Sequence, residues 1–248
     1  MKKYYAFIGP VGLFILWIIV AKLRLIDPFF LPDPFVTIGE LFRQIFTGAI
    51  LPDLYSTLER VALAFIISVI IGLPLGLLLG SSRKIYRSCE FVIDFFRSTP
   101  PVALFPLFLL VFGISDKSKI VVAAFASVLI IIFNTAHGVM HAKKARVLAA
   151  TIMGATKLQI FRWISFWESL PQTFIGLRSA ISLSLIIIIV TEMFIGTTSG
   201  IGKVIIDSQM TYEIKTMYAT ILLSGIIGYL LNLIFIVIEK RVLHWSGK

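Results

Sequence analysis

LERVALAFIISVIIGLPLGLLL, residues 58–79, carries no charged side chain after Glu59 and Arg60 and stays apolar to its end. About 20 such residues span a bilayer as a helix. Where no water is present, every backbone polar group needs an internal partner, which leaves helices or a closed barrel. The run is continuous rather than alternating, so it reads as a helix. It stops at Gly80-Ser81-Ser82-Arg83-Lys84. Gly72, Gly76 and Gly80 recur every four residues and read as a face for close helix packing.

The pattern repeats on both sides of this run. Residues 4–21 form a first candidate span, with Pro10 near its start or at a kink. Lys2 and Lys3 precede it as in a signal peptide, but no small-residue cleavage site followed by a soluble domain appears, so it reads as a first membrane helix. Residues 35–50 have the mixed polarity of a helix lying at the membrane surface. A third span, about 91–112, contains Asp94 and Arg97, which can pair three apart on a helix, and is interrupted by Pro100-Pro101. Broken helices at membrane depth occur where backbone is buried in protein or lines a cavity. Further spans read at about 118–139, 173–194 and 216–238. The fold expected is all-α: one polytopic membrane domain over residues 1–248, with about six transmembrane helices.

Composition agrees. The 248 residues are 58% hydrophobic and 15% charged, with a mean hydropathy of +0.97. The net charge of +10 suggests nucleic acid only in a soluble protein; here it reads as basic cytoplasmic loops. Cys89 is the single cysteine, which excludes a disulfide within the chain. Six spans place both termini on one side. That side collects Lys2, Lys3, Arg83, Lys84, Arg87, Arg97, Lys143, Lys144, Arg146, Lys157, Arg162, Lys240, Arg241 and Lys248. The other side, with Lys22, Arg24, Arg43, Arg60, Lys117, Lys119, Lys203 and Lys215, is diluted by acids. Both ends are therefore expected in the cytoplasm.

The most informative loop is cytoplasmic, about 141–169, basic and amphipathic. Ala149 and Ala150 permit close approach to a partner, and Gly154 permits a turn that a residue with a Cβ resists. Ile160-Phe161-Arg162-Trp163-Ile164 then resumes an amphipathic pattern. The segment suits docking in a groove of another protein; taken alone it also reads as an ordinary surface helix.

This loop resembles the cytoplasmic coupling motif of binding-protein-dependent ABC importer permeases, in which two alanines precede a glycine four residues on. Ala149, Ala150, Gly154 and Ile164 match. Leu148 stands where the family usually has Glu, and Phe166-Trp167 where Leu-Pro is expected, although Leu170-Pro171 lies close by. Over nearly the whole chain the similarity is to the nitrate, taurine, alkanesulfonate and bicarbonate permeases. It is carried by Leu31-Pro32-Asp33-Pro34, Gly72-Leu73-Pro74-Leu75-Gly76, Phe96-Arg97-Ser98-Thr99-Pro100-Pro101, Thr191-Glu192-Met193 and Gly200-Ile201-Gly202.

The resemblance implies a type I importer permease in the bacterial inner membrane. It implies a homodimer with two cytoplasmic ATPase subunits, which hold the ATP and Mg, and an external solute-binding protein. Leu148, Ala149, Ala150, Met153, Gly154 and Ala155 are then the ATPase-coupling residues, and the solute is a small oxyanion or sulfonate. The coupling loop acts as a lever and catalyses nothing.

Asn134, Arg178 and Glu192 are the candidate pathway residues. Arg178 and Glu192 lie about 21 Å apart along one helix, on nearly the same face. That face lines the path or a dimer interface; alternatively Arg178 snorkels and Glu192 is hydrogen-bonded near the external surface. Asn134 and Thr135 either bond between helices or face substrate. Gly196–Val204 imitates a phosphate loop but fails in spacing and lacks Ser or Thr after Lys203; it reads as an external turn. His137 and His141 share a helix face, but zinc needs three or four ligands, so no metal is expected. The competing function is a stand-alone secondary transporter or channel, which favours repeats and several intramembrane charges. A membrane enzyme lacks a nucleophile–base pair.

Overall fold

The computed structural model describes residues 5–194 and 196–243, with side chains from residue 8 onward. Lys2, Lys3, Tyr4 and Lys248, used above for topology, lie outside the described residues. Among the described residues every regular element is a helix. Helix α1 runs Tyr5–Lys22, α2 Pro34–Phe46, α3 Leu51–Gly80, α4 Arg83–Ser98, α5 Phe105–Phe112 and α6 Asp116–Met140. Then come α7 Lys144–Ile152, α8 Lys157–Ile160, α9 Phe166–Glu192, α10 Ile201–Met210 and α11 Ile214–Val242.

Local chemistry sets these boundaries. Asp33 caps α2 by accepting the Phe35 N–H at 2.7 Å, and Pro34 occupies the first turn, where its missing N–H costs nothing. Helix α3 begins at Leu51 rather than at residue 58, because Pro52 and Asp53 make a good first turn. At 30 residues it is about 45 Å long, longer than the hydrocarbon layer.

The third expected span is not one helix. Thr99 and Pro100 each precede a proline and are extended (ψ 126° and 119°). A 3₁₀ turn, Pro101–Leu104, follows, and the axis bends by 90° before α5. Arg97 pairs with Asp94 at 3.1 Å and lies 3.7 Å over the ring of Phe133, which ties α4 to α6.

Four helices are long and apolar enough to cross a membrane: α3, α6, α11 and the continuous Lys157–Glu192 segment ending in α9. The bent α4–α5 pair adds a fifth candidate, and Ile8–Lys22 of α1 is a shorter apolar helix. These occupy the chain positions of the six expected spans.

The core is a layer of α3, α6 and α9 with α6 in the middle, which buries Val122, Ala123, Ile131 and Ala136 completely. The glycine stripe of α3 lies against α6. A Cβ on Gly76 would sit 2.7 Å from Thr135 Cβ and 3.1 Å from the Ile132 carbonyl. On the other side of α6, Gly138 meets the Ser169 backbone and Gly176 meets Asn134, while the Ser127 and Ser184 hydroxyls bond at 2.8 Å. Helix α11 packs on α9, α1 packs on α2 and reaches α11 through Trp17 and Tyr218, and the two present exposed Leu13, Leu16, Tyr229 and Ile234. Such a surface is stable against lipid or another membrane helix.

Candidate functional site: an exposed elbow and a buried ion-pair knot

The chain leaves α6 at His141 and makes a compact elbow before α9. Helix α7 is only nine residues long and ends in a glycine turn. Gly154 has φ +80°, the Ala155 N–H reaches the Ala150 carbonyl at 3.0 Å, and the Gly154 N–H reaches the Thr151 carbonyl at 3.0 Å. This pair of bonds is the Schellman helix stop. Thr156 and Gln159 then form a capping box that restarts the chain as α8. A π turn, Phe161–Ser165, joins α8 to α9.

The expected loop over 141–169 is therefore shorter: Phe166 already belongs to α9, because the apolar pattern runs on through Phe166-Trp167. Glu168 secures the elbow from α9, accepting the Lys143 N–H and an Arg146 Nη1 bond at 2.8 Å.

Met153 is 86% exposed, Ile152 78% and Leu148 62%. Ala149 and Gly154 are exposed, and Ala150 and Ala155 half-buried. Large apolar side chains thus cluster, uncovered, at the tip of this short helix. The Ala-Ala stretch keeps the α7 backbone accessible.

The pathway candidates go to three different environments. The side-chain amide of Gln172 on α9 donates to Asn134 Oδ1 at 2.9 Å, and the Asn134 amide donates to the Ile130 carbonyl. Asn134 thus bonds between helices and still keeps a half-buried, accessible edge. Arg178 lies 3.7 Å from Glu239 on α11. Glu192, read either on a shared lining face with Arg178 or as hydrogen-bonded near the external surface, is fully enclosed, with 0% exposure. It closes a hydrogen-bonded knot at the opposite end of the helix layer from the elbow.

In that knot, Arg60 Nη1 lies 2.6 Å from Glu192 Oε1. Thr57 Oγ1 donates to Glu192 Oε2 at 2.8 Å and receives the Ile201 N–H at 2.9 Å. The Gly202 N–H donates to Glu192 Oε2 at 3.1 Å, and the Gly200 N–H to Asp53 Oδ1 at 2.7 Å. Arg60 also donates to the Ser199 carbonyl at 2.8 Å and to its hydroxyl at 3.1 Å. Arg60 Nε is 2.9 Å from Asp116 Oδ1, a charge contact without hydrogen-bond alignment. Lys119 closes the far side of Asp116 at 3.1 Å.

The knot joins α3, the start of α6, the end of α9 and the start of α10. The N-terminus of α10 is the phosphate-loop imitation noted above. Its free N–H groups are taken by this chain's own carboxylates and hydroxyl, so no phosphate is needed to satisfy them.

Asp53, Thr57, Asp116 and Ser199 were not legible as site residues. Arg60 left one signal: a charge inside the deciding apolar run deserves a partner as much as Glu192 does. His137 and His141 stack at 3.9 Å between ring centroids. Among the described residues no group of three or more His, Cys, Asp or Glu is placed to hold a metal.

The chain belongs to the binding-protein-dependent transport system inner membrane component family, whose model matches residues 72–244. It is 29% identical to the taurine transport system permease protein TauC of Escherichia coli (strain K12) over 94% of this chain and 86% of that one. It is 30% identical to the nitrate import permease protein NrtB of Synechocystis sp., over 79% and 71% respectively. The putative aliphatic sulfonates transport permease protein SsuC of Bacillus subtilis is 26% identical over 96% and 86%.

Among solved structures, an inward-facing methionine ABC transporter, MetNI, aligns over 80% of this chain and 98% of its own, with 21% identity and a TM-score of 0.67. An amino acid ABC transporter aligns over 81% and 95%, with 18% identity and a TM-score of 0.60. These two share the fold. The protein is a multi-pass inner-membrane permease subunit of an ABC importer; it is not an enzyme, and it works with ATPase and solute-binding partners.

Proposed function

We propose that two copies of this chain form the translocation path of an importer that carries a small oxyanion or sulfonate, driven by two ATPase subunits docked on the elbows. The exposed elbow supports this reading best. Leu148, Ala149, Ala150, Met153, Gly154 and Ala155 sit on or beside a short helix held by Glu168 at the root of α9, so a push there moves a spanning helix directly. ATP and Mg belong to the partner subunits, and closure of those subunits biases two arrangements of the helix layer. The basic elbow end faces the cytoplasm together with both termini. An external binding protein delivers solute at the α10 end.

The solute class comes from the relatives named for taurine, sulfonate and nitrate transport. Asn134 and Arg178 keep partial exposure on α6 and α9 and are assigned to the path. Glu192 acts on it indirectly, by fixing the end of α9. The test is uptake by proteoliposomes holding this chain, its ATPase and its binding protein. ATP-dependent accumulation of taurine, an alkanesulfonate or nitrate is expected. Equal uptake without the ATPase would contradict the reading.

A further inference from the structure

We infer that the groove behind the elbow is a binding site for an anionic phospholipid. The groove, about 1300 Å³, lies between the ends of α3 and α6 on one side and α7, α8 and the π turn on the other. That exceeds the roughly 300–1,000 Å³ of sites for drug-sized ligands. Its walls are mainly apolar, with Leu78, Met140, Leu148 and Phe161 among them. Leu78 is 58% exposed and Leu148 62%, so the greasy lining lacks a covering within the chain.

Three cations, Arg83, Lys144 and Lys157, line the same groove, and no acidic residue does. None of the three makes an ion pair among the described residues. The nearby acid Glu168 is already taken by Arg146.

The occupant must therefore be amphipathic, with an anionic head and a bulky apolar body. Position selects its source. Gly80 and Met140 close the membrane-spanning α3 and α6, so the groove opens at the level where a bilayer's headgroups lie. Basic pockets between spanning helices at that level bind acidic lipid heads.

The partner ATPase is a poorer fit. The most exposed elbow residues, Ile152 and Met153, do not line the groove. Helix α7 thus has two working faces: the tip, with Ile152 and Met153, for a protein partner, and Lys144 and Thr151 on the groove, with Leu148 at the edge that both share. The inference rests on the elbow lying at the membrane surface.

The test is native mass spectrometry of the full chain in mild detergent, offered equimolar phosphatidylglycerol and phosphatidylcholine. The wild type is expected to retain phosphatidylglycerol preferentially. Surface cations contribute roughly fivefold each, so Arg83→Gln with Lys144→Gln and Lys157→Gln is expected to lose up to roughly a hundredfold of that preference. Leu78→Trp, which fills the groove and leaves the charges, is expected to reduce retention of both lipids. A thermal midpoint for each variant shows that it is folded. Equal retention of the two lipids by the wild type, or a preference unchanged in the triple variant, would overturn the inference. So would protection of the thiol introduced by Leu78→Cys, in a Cys89→Ser background, by the ATPase rather than by lipid. Met153 cross-linking to the ATPase tests the elbow's protein face separately, so failure of one reading leaves the other measurable.

Discussion

Replacing Arg60 by Met is expected to be the most damaging single change at the knot. The thioether side chain keeps most of the bulk and removes the guanidinium. Glu192, with no exposed surface, is left with the Thr57 hydroxyl and the Gly202 N–H as its partners. The 2.6 Å pair and the two bonds to Ser199 disappear. Breaking a buried ion pair by removing one partner costs about 3–5 kcal/mol, a large part of a typical stability of about 5–15 kcal/mol.

Arg60→Met combined with Glu192→Met removes both charges. It is expected to cost about 2 kcal/mol less than the sum of the two single changes, since no uncompensated charge remains. Equilibrium unfolding in mixed detergent–SDS micelles, followed by tryptophan fluorescence, measures each variant. A cost below about 1 kcal/mol for Arg60→Met, or strict additivity in the double variant, would show that the knot is not a stabilising unit.

Gly154→Ala places a Cβ at φ +80° where no atom lies within 4 Å. The cost is backbone strain alone, about 1–2 kcal/mol, so the thermal midpoint is expected to fall by only a few degrees, and ATP-driven uptake to fall through the distorted elbow. Gly76→Ala presses on Thr135 and the Ile132 carbonyl between two spanning helices; it is expected to cost about 1–3 kcal/mol in the same unfolding assay. Glu168→Gln frees the elbow from α9 and is expected to lower the uptake rate with the ATPase still bound, checked by co-purification. At α2, the bond from Arg43 holds the Glu40 carboxyl below its ordinary value of 4.5. Its contribution is complete above that value and is lost as pH falls through the lowered pKa. Glu40→Gln is expected to flatten the acid limb of a stability–pH profile.

Hydropathy made the helical body legible, because lipid leaves the backbone few options and the spans stay apolar throughout. The break after Ser98 was legible too, since two adjacent prolines force extended residues before them. The start of α3 was not, because residues 51–57 are polar enough to resemble a loop and are helical through packing against α10 and α9. The turn at Gly154 could be read from its residue type, whereas the restart at Thr156 through Gln159 was hidden in an ordinary polar stretch. The knot stayed out of reach for a different reason. Arg60 and Glu192 are separated by 132 positions, and a single sequence carries no signal of which distant charges meet.

Cysteine cross-linking at the elbow tests the mechanism most directly. In a chain with Cys89→Ser and Met153→Cys, assembled with its ATPase, a short bifunctional reagent should join the new thiol to the ATPase, with a yield that changes when ATP is bound. A Met153→Cys thiol that reacts only with lipid-phase probes, in a complex that still imports solute, would contradict the account.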